Sequence, residues 1–256
     1  MNELATNALA LFQWIDMLSS EKPRLPSSQF PDLPIELSPD KPLDMAAHIT
    51  FANLRIAAHS AYEIAFLTGA LQGESLKTPL IVSRTSVEAS ANARYLGRCL
   101  SESGDRAFLA EGLRERIWMA RQASRVAPGG VSEHLGPALR YAQSSGLLTK
   151  NQRENGLVET DAQFAARIER GRNMSDRIEA LFPNPPNKGF HYGWLSGFAH
   201  ANPSVYFRDW EGSEVSLGFG SSMTALREAV RAVCAAFQLS CDLQYFDFWF
   251  QVEESS

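Results

Sequence analysis

Six of the thirteen prolines, Pro23, Pro26, Pro31, Pro34, Pro39 and Pro42, fall between Ser19 and Asp44. Proline fixes φ and lacks a backbone N–H, so this stretch sustains neither a helix nor a central strand. It divides the chain into a short N-terminal helix with a Pro-rich strap, 1–43, and a helical domain, 44–256. Ahead of the strap, Leu4, Ala8, Leu11, Ile15 and Leu18 fall on one side of a helix over 4–18.

Beyond the strap the apolar residues keep a helical period. Asp44 caps an Ala-rich helix that runs to about Leu71. Thr78-Pro79 opens the next, in the cap-then-proline order that pre-organises a first turn, and carries it to about Leu100. A third starts near Asp105 and places Phe108, Leu109, Leu113, Ile117 and Ala120 on one face until Pro128-Gly129-Gly130 stops it. Weaker periodicity over 132–145, a charged helix over 161–182, a helix ending near Ala201 and a long final helix over 221–248 complete the pattern. Val205-Tyr206-Phe207 and Val215 to Phe219 flank a turn-rich Glu211-Gly212-Ser213-Glu214 and read as a hairpin. The expectation is an all-α, single-domain bundle of six to seven helices with a small β-hairpin insertion near 204–220.

Composition narrows the function classes. A net charge of -5 counts against a dedicated non-specific nucleic-acid binder, whose phosphate contacts need a basic excess. Cys99, Cys234 and Cys241 form no C-x-x-C pair and read as reduced apolar fillers. Glu3 and Asp16 stand where a secretion signal carries positive charge, and no apolar run reaches the length of a membrane span. The expected address is the cytoplasm, with no membrane partner. Nineteen arginines against five lysines hint at a GC-rich bacterial genome.

Phe190-His191-Tyr192-Gly193-Trp194-Leu195-Ser196-Gly197-Phe198-Ala199-His200-Ala201-Asn202-Pro203 concentrates chemistry-bearing residues. Ser196 and His200 are four apart and share a helix face, as do Arg84 and Glu88 on an earlier helix. Asn202-Pro203 ends the helix just past His200, where the helix dipole favours imidazolium and raises the histidine pKa. Two readings stand. Gly193 and Gly197 admit a close neighbour while Ser196 and His200 satisfy buried hydrogen bonds, or Arg84, Glu88, Ser196 and His200 form a catalytic set. The small residues Thr85, Ser86, Ala89, Ser90 and Ala91 around Arg84 and Glu88 suit close helix packing.

Other chemistries find little support. No H-x-x-x-H, H-E-x-x-H or E-x-x-H spacing occurs, so no metal is expected. No strand-turn-helix elbow exposes a serine, and no phosphate-binding glycine loop is present, so no cofactor is expected. Arg114, Arg121 and Arg125 lie on one helical face and Arg167 and Arg170 on another. Those faces make either a salt-bridge-laced surface or, if they meet, a positive groove.

Arg84-Thr85-Ser86-Val87-Glu88 together with the later Leu195-Ser196 to His200 resembles a loosely defined group of bacterial helical proteins that pair an R-x-x-x-E helix with an L-S-x-x-x-H segment. That group is similar to HEPN-type domains, helical bundles of toxins and phage-defence ribonucleases. The resemblance implies a stress- or defence-associated, metal-independent ribonuclease with RNA as partner. In such a site an arginine and a histidine, with four to six residues between them, act on a ribose hydroxyl and the scissile phosphate. Here the nearest such pair, Arg55 and His59, has only three residues between, so Arg84 would serve from a neighbouring helix with His200 as acid or base. The residues leave two further readings open. One is an interaction module, a homodimer among its forms, using the Gly193/Gly197 face and the aromatic segment Tyr245 to Phe250. The other is a small hydrophobic ligand pocket lined by Trp194, Phe198 and His200.

Overall fold

The computed structural model describes residues 3–20, 42–70, 77–126, 135–152, 157–182, 193–196 and 212–248. Among them the apolar periodicity is expressed as eight α-helices: α1 (Glu3–Ser20), α2 (Pro42–Ala70), α3 (Lys77–Arg98), α4 (Asp105–Val126), α5 (Leu135–Ser144), α6 (Asp161–Arg170), α7 (Met174–Glu179) and α8 (Gly212–Phe237). A π-helical turn, Cys99–Ser103, extends α3, and a 3-10 turn, Leu243–Phe246, follows α8. Among the described residues the β pairing is limited to one isolated bridge, Gln152 to Val158. The fold of these residues is all-α, with more helices than the six or seven expected.

The hairpin near 204–220 is corrected: its second strand, Val215 to Phe219, lies inside α8, and 204–211 fall outside the described residues. Leu217 and Phe219 alternate as a strand would require. Two residues separate by roughly 200° around a helix, however, and Leu217 is 48% exposed while Phe219 is 3% exposed. Five residues of alternation did not distinguish the two periods.

The helix expected over 161–182 divides into α6 and α7. Thr160 and Gln163 form a capping box at the start of α6, and its end closes with the Gly171 N–H on the Arg167 carbonyl at 3.0 Å and the Arg172 N–H on the Glu169 carbonyl at 3.3 Å. The final helix stops at Phe237 rather than near 248. Gln238 takes φ 55°, and the Leu239 N–H donates to the Cys234 carbonyl at 2.9 Å, the long bond of a Schellman cap.

The chain forms two compact units. The first comprises Met1–Pro23, Phe51–Gly97 and Met174–Ser256, and the second Arg24–Thr50 and Arg98–Asn173. In the first, α1 buries Ala5, Ala8, Leu11, Ile15 and Leu18, and Trp14 stacks on Tyr245 with ring centroids 5.0 Å apart. In the described part of the aromatic C-terminal segment Phe246 is fully buried, Tyr245 and Phe248 are half-buried and Asp247 is exposed.

Helices α3 and α8 run parallel at backbone-close range. Gly218, early in α8, faces Leu80 and Ser83, early in α3, and Gly97, late in α3, faces Ala232, late in α8. A Cβ on Gly97 would stand 3.1 Å from the Ala232 carbonyl carbon and oxygen, and one on Gly218 would stand 2.7 Å from Leu80 Cδ2. Small residues at these crossings let Leu80, Leu96, Leu226, Val230 and Val233 bury fully, each contributing roughly 1.5–3 kcal/mol of transfer free energy. Three buried serines of this unit spend their hydroxyls on carbonyls: Ser83 on Pro79, Ser222 on Gly218 and Ser86 on Ala57 of α2.

In the second unit α4 packs against α5 and α6, with Phe108, Leu109, Leu113, Ile117, Leu139, Phe164 and Ile168 buried. Four of its arginines are met by carboxylates. Glu169 accepts from Arg121 Nε and Arg125 Nη2, both at 2.9 Å, Glu159 accepts from Arg167, and Glu115 accepts from Arg172. The faces of α4 and α6 meet, and Glu169 of α6 takes both Arg121 and Arg125 of α4, so these two arginines are spent on a salt bridge between the helices.

Candidate functional site

The site is built on one stripe of α3 in the first unit. Arg84 and Glu88 stand one turn apart, and Arg84 Nε donates to Glu88 Oε1 at 2.7 Å. Arg84 Nη1 donates to Ser196 Oγ at 3.4 Å, a long contact that joins segments 112 residues apart. The side chains of Arg84 and Glu88 are 17% and 31% exposed, so solvent reaches the pair from one side.

Ser196 is placed by its neighbours. It belongs to the helical residues 193–196, among which Leu195 is buried in a cluster with Val87, Ala91, Ile178, Leu181 and Ala225. Trp194 packs half-buried against the same cluster. Val87 and Ala91 come from α3, Ile178 from α7 and Ala225 from α8, so three helices hold the turn that presents the hydroxyl.

Asn92 extends the stripe. It lies eight residues after Arg84, and its Oδ1 accepts from Arg177 Nη1 of α7 at 2.9 Å. The Arg177 guanidinium lies 4.0 Å from the centroid of the Tyr95 ring, and only 9% of the residue is exposed. Sequence reasoning missed this second guanidinium and its partners. One signal was available: asparagine is a poor helix-interior residue and commonly keeps such a position only by bonding elsewhere.

The four residues expected to act together therefore divide. Arg84, Glu88 and Ser196 are brought together, while His200 lies outside the described residues, as do its expected pKa rise, His191, Gly197 and Phe198. The expectation that Gly193 admits a close neighbour is corrected: a Cβ built there meets no heavy atom within 4 Å, and the residue is exposed. Around Arg84 the small face behaves as expected in part, with Ser86, Ala89, Ser90 and Ala91 buried and Thr85 exposed.

A guanidinium oriented by a carboxylate on one edge and a hydroxyl on another is a positioned fork of donors suited to a phosphate or carboxylate. Among the described residues no group of three His, Cys, Asp or Glu side chains is gathered as a metal site, and no helix is long and apolar enough to cross a membrane. Comparison with protein-family models, curated proteins and solved structures gives no match.

Proposed function

We propose that this chain is a HEPN-like stress- or phage-defence protein of a bacterial cytoplasm that cleaves RNA without metal, with Arg84, Glu88, Ser196 and His200 as its site. The approach of Arg84 Nη1 to Ser196 Oγ carries the reading, because it ties the arginine to the segment in which His200 follows four residues later. In this reaction His200 removes the proton from a ribose 2′-hydroxyl, and the 2′-oxygen attacks the adjacent phosphorus. The bond to the 5′-oxygen breaks and that oxygen takes a proton from water, leaving a 2′,3′-cyclic phosphate and a 5′-hydroxyl, while His200 returns its proton to the resulting hydroxide. Arg84 stabilises the charge that develops on the phosphoryl oxygens, Glu88 holds the guanidinium plane, and Ser196 orients its outer edge.

The test is cleavage of labelled tRNA and mixed cellular RNA by the wild type, Arg84→Ala and His200→Ala, with and without a chelator. Wild-type cleavage should survive chelation and fall by roughly 100-fold or more in each variant. An intact RNA population after incubation with wild type refutes the reading and favours the interaction module, which predicts a homodimer by light scattering.

A further inference from the structure

We infer that the first unit also holds a binding pocket for a small aromatic oxyanion, a phosphate or carboxylate, bounded by α3, α8 and the residues after α7. A cavity of about 370 Å³ is lined by Arg94, Ala180, Leu181, Phe182, Thr224, Arg227 and Glu228. That volume falls in the range of small-molecule sites, roughly 300–1,000 Å³. Arg94 follows Arg84 by ten residues, about 15 Å along the helix axis, so the pocket is separate from the Arg84 site and the inference stands without the ribonuclease reading.

The wall divides by chemistry. Leu181 and Phe182 supply an apolar and aromatic side. Thr224 and Arg227 of α8, with Arg94 of α3, supply a hydroxyl and two guanidiniums. The lining carboxylate, Glu228, accepts from Arg231 Nη1 at 3.0 Å on its own helix. An arginine fork bonds more than one acceptor at a time, so an oxyanion is bound alongside the contacts these side chains already make.

The pocket is preformed rather than closed by a ligand. Its third side is pinned by successive backbone bonds, from the N–H groups of Ala180, Leu181 and Phe182 to the carbonyls of Asp176, Ile178 and Glu179 at 3.1, 3.0 and 3.2 Å. The other two sides are the parallel helices whose spacing Gly97 and Gly218 set. A rigid cavity with an aromatic side and a guanidinium side selects a ring bearing an anionic group over either feature alone.

Calorimetric titration of the full chain with phenyl phosphate, benzoate and benzyl alcohol tests this. The oxyanions should bind and benzyl alcohol should not. Arg227→Gln should weaken oxyanion binding roughly tenfold or more, since each lost charge-assisted bond is worth at least that factor. Ala180→Trp fills the pocket from its exposed rim while leaving both arginines in place, and it should abolish binding. Ala180→Trp also decides the matter if Arg227→Gln does not fold. The affinity order of phenyl phosphate and benzoate identifies which oxyanion the pocket prefers. Absence of wild-type binding at millimolar ligand, equal binding of benzyl alcohol, or unchanged binding in folded Ala180→Trp overturns the pocket.

Discussion

Arg84 of α3 and Ser196 of the 193–196 turn meet at 3.4 Å, across 112 residues of chain, while Glu88 holds the other edge of the same guanidinium at 2.7 Å. The hydroxyl contact is long and the ion pair is partly exposed, so neither is a large source of stability. Arg84→Ala should cost under about 1 kcal/mol in urea denaturation, because Glu88 remains hydrated when its partner leaves. RNA cleavage should fall far more, roughly 100-fold. Arg84→Lys should fail to restore it, because an ammonium does not reproduce the planar fork. Equal fractional losses of stability and activity would make the pair structural.

Two glycine-to-alanine changes, one at Gly97 in the α3/α8 crossing and one at Gly193 in the 193–196 turn, should have opposite outcomes. Alanine gains about 1 kcal/mol of helix propensity over glycine in a helix interior. At Gly97 the new methyl would press on the Ala232 backbone at 3.1 Å, and backbone cannot rotate away. Overpacking costs about 1–3 kcal/mol, so Gly97→Ala should be net destabilising by about 1 kcal/mol. Gly193→Ala meets nothing within 4 Å and should leave the melting temperature unchanged or raise it. Thermal melts of the two variants side by side check the sign.

Much of this architecture was legible in the residues. α1, α3 and α4 began and ended within a few residues of expectation because caps, prolines and apolar spacing agree there. The start of α8 was not legible, since Val215 to Phe219 satisfies a period of two as well as a helix does, and only the burial of Gly218 against Leu80 and Ser83 decides between them. The site divides in the same way. Arg84 with Glu88 is a local i,i+4 pair, visible in sequence. Asn92 with Arg177 spans 85 residues and joins a mid-helix amide to an arginine of the charged stretch 161–182, a pairing that no local spacing signals.

Glu115 and Arg172 in the second unit should behave as a coupled pair. Glu115 is 1% exposed, both its oxygens lie 3.0 Å from Arg172 Nε, and that guanidinium lies 3.6 Å from the Trp118 ring centroid. Arg172→Met takes from buried Glu115 the guanidinium nitrogen that both its oxygens meet, and Glu115→Leu takes that carboxylate from Arg172, so either change alone should cost about 3–5 kcal/mol. The double variant should cost much less than the sum, because no charge remains to be compensated. A double-mutant cycle in urea measures the coupling. Additive losses would show that the two side chains stabilise the unit independently.

Tyr141 of α5 gives the alkaline prediction. Its ring is buried, its hydroxyl has no protein partner among the described residues, and burial raises its pKa above the ordinary 10.0. The unfolded chain then ionises this phenol at lower pH than the folded chain does. The folded state keeps the proton longer, so the contribution of Tyr141 is fully present below about pH 10 and is lost as pH rises through the folded value. Tyr141→Phe removes both the ionisation and the unpartnered hydroxyl. At pH 7 the variant should be as stable as wild type or more so, by up to about 1 kcal/mol, since phenylalanine leaves no buried oxygen to desolvate. Between pH 9 and pH 11 the wild-type melting temperature should fall more steeply than that of the variant. Parallel curves over that interval would show that Tyr141 keeps its ordinary pKa in the folded chain.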